Sequence, residues 1–372
     1  MARRGENIYK RRDGRYEARY IVGRGENGKA RYRSVYARTY KEARIKKYEG
    51  MRALEEARAA EASASGTVQA VSEEWIKDEA HNWKESTLCR YKEKLKLYII
   101  PEYGSRNISD ITTDEVEAYL TRLQSEGIEG RKPVGSSTAG LVLTVLKELL
   151  RYARKKGCVV RFVAECVRVK RKKEPVTVLS EGDENKLVDY LKKETDETDM
   201  GVLTGLFTGM RIGELCALTY DDIDLDECVI RVNKTMQRLP VENGDSKTAI
   251  RIDTPKSDCS KRVIPISPKL AGIIRPFYKP GAYFLTGDKE KFIEPRTMEG
   301  RFARILDKCG LDKVNFHVTR HTFATRCVER GMDSKTLSEL LGHSSVATTL
   351  DRYVHLTMSH KAESVRLIED LL

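Results

Sequence analysis

The sequence predicts a multidomain α+β chain: a small three-stranded sheet with a helix, then a four-helix domain, then a mainly α domain with a small antiparallel sheet. Three observations predict this order. The chain has 372 residues, enough for two or three domains of about 100–200 residues each. Apolar residues alternate near the front of the chain and recur at helical spacing from Val68 onward. Two stretches poor in large apolar residues, 57–66 (ARAAEASASG) and 168–174 (RVKRKKE), read as linkers. The expected boundaries are therefore 1–66, 67–170 and 171–356, followed by a tail at 357–372.

In the first segment a strand is expected at 8–10. Asp13-Gly14 is a hairpin-turn signal, and residues 16–22 alternate on its far side. Residues 30–36 read as a third strand, and 41–58 has helix-forming composition. Gly23-Arg-Gly25-Glu-Asn-Gly28 matches G-x-G-x-x-G, but a strand follows it, so it reads as a hairpin loop and not a dinucleotide site.

The second segment carries four apolar stripes. Val68, Val71, Trp75 and Ile76 make the first. Leu88, Tyr91, Leu95 and Tyr98 make the second, with an end expected at Pro101. Thr112 and Glu115 form a capping-box pair before Val116, Tyr119, Leu120 and Leu123. Leu141, Val142, Val145, Leu146, Leu149 and Leu150 make the fourth. In the third segment helices are expected at 181–193, 200–207, 212–217, 297–309, 319–330, 335–341 and 346–355. Strands are expected at 228–232, 251–254 and 262–266. The last two flank 255–261, which places Lys256 on a hairpin turn.

Composition limits the partners. Lys and Arg number 68 against 56 Asp and Glu, a net charge of +12. The excess is uneven: 18 basic against 9 acidic side chains in 1–66, 21 against 16 in 67–174, and 29 against 31 beyond. A front-loaded positive charge suits a polyanionic partner, and such binding weakens steeply with salt. No uncharged apolar run approaches about 18 residues, so no membrane span is expected. The start, MARRGENIYKRR, lacks the apolar stretch of a secretory signal. Eight scattered cysteines without C-x-x-C read as reduced residues of a cytosolic protein.

Arg11, Arg12, Arg15, Arg19, Arg31 and Arg33 interleave with Tyr16, Tyr20 and Tyr32. An Arg-rich sheet face can enter a DNA major groove; a solvated basic face is the bland alternative. Lys92, Lys96, Arg151 and Lys155 on the four-helix segment pose the same choice between DNA contact and ordinary solubility.

The last segment holds the chemistry. Cleaving a phosphodiester without metal needs a nucleophile, cations around the nonbridging oxygens, and an acid for the leaving oxygen. Arg211 sits in Thr-Gly-Met-Arg-Ile-Gly-Glu214-Leu. His317 and Arg320 lie three apart, on one face of a helix start. His343 follows Gly342, and Tyr353 comes ten residues later. His317 and His321 at i, i+4 could pair on a metal, but there is no H-E-x-x-H and no evident third ligand. No metal and no cofactor is expected.

Taken together, Thr-Gly-Met-Arg211-Ile-Gly-Glu214-Leu, His317-Val-Thr-Arg320-His321-Thr-Phe, Leu-Gly-His343-Ser and Tyr353-Val-His resemble the tyrosine recombinase (phage integrase) family in order, neighbours and spacing. The resemblance covers roughly 67–356. The basic front segment is similar to the arm-binding domains of integrases from phages and conjugative transposons. The resemblance implies that Arg211 and Arg320 grip the scissile phosphate. Tyr353 attacks to form a 3′-phosphotyrosine, and Lys256 protonates the leaving 5′-oxygen, although Lys261 and Arg262 lie close by. His317 assists proton transfer or orients the phosphate, His343 donates to a nonbridging oxygen, and Glu214 orients Arg211. It further implies double-stranded DNA with core and arm sites as substrate, a homotetramer on two duplexes, and a bacterial, nucleoid-associated location. An accessory excision or DNA-bending protein is a further expected partner. Val365, Ile368 and Leu372 make a short stripe that docks either on its own domain or on a neighbouring protomer. A type IB topoisomerase, a catalytically silent DNA-binding regulator and a metal hydrolase remain as alternatives.

Overall fold

In the computed structural model the chain forms two compact units, Met1–Lys173 and Glu174–Leu372. Described residues are 7–24, 30–59, 66–128, 130–170, 176–193, 195–241, 247–254 and 260–353. Lys256, most of the Gly23–Gly28 loop and the 357–372 tail lie outside them.

In the first unit β1 (Ile8–Lys10), β2 (Tyr16–Arg24) and β3 (Ala30–Ala37) form an antiparallel sheet in that order. Gly14 turns β1 into β2 at φ +82°, a conformation that favours glycine. Helix α1 (Tyr40–Ala59) covers one sheet face, burying Ile8, Ala18, Ala37 and Ala43. The approach is close: a Cβ on Gly50 would overlap the Tyr20 ring.

Strand alternation then divides the arginines. Cross-strand pairs Glu17–Tyr36, Arg19–Ser34 and Ile21–Tyr32 occupy the face away from α1. Arg33 pairs with Tyr20 on the α1 side. The six arginines therefore do not share one face: Arg11, Arg15 and Arg19 gather around Glu17 and Tyr36 on the open side, and Arg33 stands on the other. Neighbours at odd positions of β3 cannot share a face with its even-numbered tyrosines.

Five helices follow: α2 (Val68–Glu79), α3 (Glu85–Lys94), α4 (Ile100–Tyr103), α5 (Thr113–Ser125) and α6 (Ser136–Lys155). Their apolar stripes meet in one core that includes Trp75, Leu95, Ile99, Leu120, Leu146 and Leu149. The capping box of Thr112 and Glu115 forms. The second stripe does not end at Pro101. A π-helical turn at Leu95–Ile99 gives the Ile100 amide a bond to the Leu95 carbonyl. Pro101 then falls in the first turn of α4, where its missing N–H costs little.

The second unit begins with α7 (Glu181–Leu191), α8 (Glu197–Thr208) and α9 (Ile212–Ala217). Strands β4 (Ile223–Asp224), β5 (Val229–Val232), β6 (Thr235–Pro240), β7 (Thr248–Asp253) and β8 (Arg262–Pro265) come next. Helices α10 (Pro268–Ile274), α11 (Pro295–Lys308), α12 (His317–Glu329), α13 (Ser334–Leu341) and α14 (Val346–Tyr353) complete it. Helix α8 is buried nearly all round, which makes it the hub of the core. The strands pair differently from expectation. β7 pairs with β6, whereas β8 joins the sheet β4-β5-β8. The two strands that flank Lys256 therefore do not pair with each other, and Lys256 itself lies outside the described residues. Strand 235–240, which the apolar pattern did not mark, takes the partner role because its register matches β7 over six residue pairs. No helix among the described residues is long and apolar enough to cross a membrane.

Candidate active site

The site is built around the C-terminal end of α13. Gly342 ends that helix in the left-handed conformation, at φ +63°. The turn leaves three successive carbonyls pointing outward, and three arginines from three other elements take them. Arg262 Nε, on β8, donates to the Leu340 carbonyl at 2.6 Å. Arg320 Nη2, on α12, donates to Leu341 at 2.7 Å. Arg211 Nη2, just before α9, donates to Gly342 at 3.1 Å. A helix C-terminus carries partial negative charge, so cations belong there.

Glu214 balances the cluster. Its carboxylate accepts from the Arg211 amide at 2.9 Å and Arg211 Nη1 at 2.7 Å. It also accepts both terminal nitrogens of Arg262, at 3.1 and 2.9 Å. Four donors fill what two carboxylate oxygens can accept. Glu214 and Arg262 are almost wholly buried, with 2% and 5% of their side-chain surface exposed. Burial by itself would raise the Glu214 pKa. The Arg262 fork, the two positive charges and the Arg211 amide outweigh it and hold the carboxyl below its ordinary value.

Arg320 is 1% exposed, and its Nη1 donates to the Gly209 carbonyl at 2.8 Å. Gly209 is the left-handed cap of α8, two residues before Arg211. One guanidinium therefore ties the end of α8 to the end of α13. Burial, then the Arg211 charge, pushes Arg320 down to about 9, which leaves it protonated at neutral pH.

The histidines and the tyrosine complete the group. Phe316, whose amide bonds Glu299, sets the start of α12 and so the place of His317. The His317 and His321 rings meet edge to face, with centroids 4.5 Å apart. His321 Nδ1 lies 2.7 Å from the Tyr353 hydroxyl. His343 Nδ1 is oriented by Thr349 Oγ1 at 2.8 Å. Its ring lies parallel to that of Tyr353, with centroids 6.5 Å apart. Tyr353 is 6% exposed and packs with Ala324, Leu337 and Leu341.

Five expected site residues, Arg211, His317, Arg320, His343 and Tyr353, thus gather with Glu214 around one helix end. Sequence reasoning missed Arg262 as a partner of Glu214 and His321 as a partner of Tyr353. The one available signal was position: Arg262 stands beside the expected acid, and His321 beside Arg320. Among the described residues no cluster of three or more His, Cys, Asp or Glu side chains could hold a metal ion.

The basic residues of the first unit have mixed surroundings. Arg11 and Arg19 both pair with Glu17, at 2.9 Å each, and Arg15 pairs with Asp13. Arg19, then Ser34, holds the Glu17 carboxyl below its ordinary value. Arg12, Arg31 and Arg33 are exposed, as are Lys96 and Lys155, and Lys92 is half-buried. Arg151 pairs with Glu148 at the surface. Two neighbouring cations do structural work instead. Lys156 bridges Glu74 and Asp78, and Arg154 donates to the Val160 and Phe162 carbonyls.

Guanidiniums, imidazoles and a phenol converging on one point define a site suited to an oxyanion and an oxygen nucleophile. Comparison with known proteins agrees. Residues 177–360 match the phage integrase family, and 67–124 match its N-terminal SAM-like domain. A XerC-like tyrosine recombinase of Caldanaerobacter subterraneus is 26% identical over 96% of this chain and 96% of its own. Tyrosine recombinase XerD of Corynebacterium glutamicum is 30% identical over 76% of this chain and 90% of its own. The fold matches the integrase of transposon Tn1549 in complex with circular-intermediate DNA, at 22% identity and TM-score 0.66, over 81% of this chain and 99% of that one. It also matches a lambda integrase tetramer bound to a Holliday junction, at 20% identity and TM-score 0.56, over 96% and 99%. The chain belongs to the tyrosine recombinase (phage integrase) family.

Glu214→Gln tests the balance of charge. The variant leaves Arg262 buried without its counter-ion and should lose about 3–5 kcal/mol of unfolding free energy at neutral pH. The Glu214 pKa is lowered on folding, so its stabilisation is full above the unfolded value, near 4.5, and is lost as pH falls through the folded one. Urea unfolding from pH 7 down to about 2 should show a constant gap between wild type and variant above the unfolded value, then a gap that narrows as acid carries the carboxyl through its lowered folded pKa. A gap that widens with acid contradicts this assignment.

Proposed function

We propose that the protein is a site-specific DNA integrase that cuts and rejoins DNA through a 3′-phosphotyrosine. The observation that carries this reading is the gathering of Arg211, Arg320, His317, His343 and Tyr353 around one helix end. Arg211 and Arg320 hold the nonbridging oxygens of the scissile phosphate through the guanidinium N–H groups that their bonds to Glu214 and the main-chain carbonyls leave over. Tyr353 Oη attacks phosphorus, and the bond to the 5′-oxygen breaks. Lys256 protonates that oxygen. His343 donates to a nonbridging oxygen, and His317 assists proton transfer or orients the phosphate. Glu214 fixes Arg211. The ester keeps the phosphate energy, so rejoining needs neither ATP nor metal.

The assembly we propose is a homotetramer on two duplexes, passing through a Holliday junction to integrate and excise a mobile element. Residues 67–170 would bind the core site, 171–356 would cleave it, and 1–66 would bind separate arm sites. Residues 357–372 would dock on a neighbouring protomer. An accessory excision or DNA-bending protein would set the direction, and the work would be done on the bacterial nucleoid. The Tn1549 and lambda integrases, solved on circular-intermediate and junction DNA, support this substrate class.

Adduct capture tests the nucleophile. DNA sequenced from SDS-resistant protein–DNA complexes in cells should cluster at a few loci for wild type and vanish for Tyr353→Phe. EDTA should leave adduct formation unchanged. Adducts that persist in Tyr353→Phe would overturn the site, and relaxation of supercoils without recombination would point to a topoisomerase. Deleting 1–66 should spare cleavage of core-site DNA, lower affinity for full-length sites and flatten the salt dependence of binding. Full-length sites recombined as well as by wild type would contradict the arm-binding role.

A further inference from the structure

A phenol is a weak nucleophile until its proton leaves, so attack by Tyr353 calls for a base within reach of its oxygen. His321 Nδ1 lies 2.7 Å from Tyr353 Oη, within the range of a proton-transfer contact. The neighbouring groups fit this use. Arg320, the preceding residue on α12, directs its fork at the Gly209 and Leu341 carbonyls, and its charge reaches Tyr353. His343 Nδ1 is engaged by Thr349. His321 also borders an open cavity walled by Thr177, Lys313, Asn315 and His317, through which a proton can pass on to water.

We propose that His321 is the general base that takes the Tyr353 proton, an assignment that rests on Tyr353 being the nucleophile. The Tyr353 O–H bond breaks, its proton moves to Nδ1, and the electron pair stays on Oη. The Oη–P bond forms as the P–O5′ bond breaks, and O5′ takes its own proton from Lys256. Rejoining reverses each step, and His321 returns the proton to Tyr353. The ring must therefore begin neutral, with its proton on Nε2. Among the described residues, the charged and titratable groups around it include His317 and Arg320 on its own helix, Tyr353 on α14, and Lys313 across the cavity.

The test is single-turnover adduct formation on nicked site DNA, with the leaving 5′-oxygen present or replaced by sulfur. A thiolate leaves without a proton, so the sulfur substrate bypasses the acid and still needs the base. Lys256→Ala should regain its rate on sulfur. His321→Ala and His321→Gln should stay about 10²-fold slow on both substrates, with DNA affinity and melting temperature held. Wild type on sulfur should speed up as pH rises through an imidazole titration, and folded His321 variants should lose that limb. His321 variants that cleave the sulfur substrate at the wild-type rate overturn the proposal. If neither variant folds, a flat wild-type profile between pH 5 and 8 overturns it. Adducts formed by Tyr353→Phe would instead sink the nucleophile itself, which keeps the two failures apart.

Discussion

Three guanidiniums on three consecutive carbonyls hold this site together. Arg262, Arg320 and Arg211 reach Leu340, Leu341 and Gly342 from a strand, a helix and a helix-entry loop. Hydrogen bonds from charged donors are worth about 1.5–3 kcal/mol each. Their geometric effect exceeds their sum, because each one fixes a different element to the same helix end. Once α13 is pinned, His343 follows at its cap, and α14 starts three residues later to bring Tyr353 back against α12. The arginines that would grip a phosphate are already placed by the main chain.

The same clasp creates an electrostatic problem, which Glu214 solves. Three cations at one helix end repel, and Arg320 carries its charge in near-complete burial. The single carboxylate lies between Arg211 and Arg262 and leaves Arg320 to the carbonyls. The cluster keeps a net positive charge, which suits it to a phosphodiester. A weaker version of this device recurs in the first unit. Glu17 there gathers Arg11 and Arg19 on the open face of the sheet, with Ser34 and Tyr36 beside them.

Much of this was legible in the sequence, for reasons that can be stated. The helices of the site were marked by spacing, and the family motifs placed Arg211, His317, Arg320, His343 and Tyr353. The capping box at Thr112 was visible because both partners sit within four residues. What escaped was non-local or carried by the main chain. No side-chain pattern announces that Arg262 will bond a carbonyl 78 positions later, or that His321 will meet Tyr353 across 32 residues. Strand pairing failed for the same reason. Periodicity finds a strand but not its neighbour, so the sequence points to β8 as the partner of β7, and the partner is β6. The π turn before Pro101 was hidden because a proline reads as a stop unless the helix can widen ahead of it.

Arg262→Lys puts the clasp to its most direct test. Lysine keeps the charge but lacks the planar fork by which Arg262 bonds Leu340 and both oxygens of Glu214. If the clasp positions Arg211 for the phosphate, single-turnover cleavage should fall about 10²-fold, while the folded variant binds its site with wild-type affinity. Cleavage at the wild-type rate would mean that Arg211 finds its place without the clasp, and would contradict the central role of the three guanidiniums.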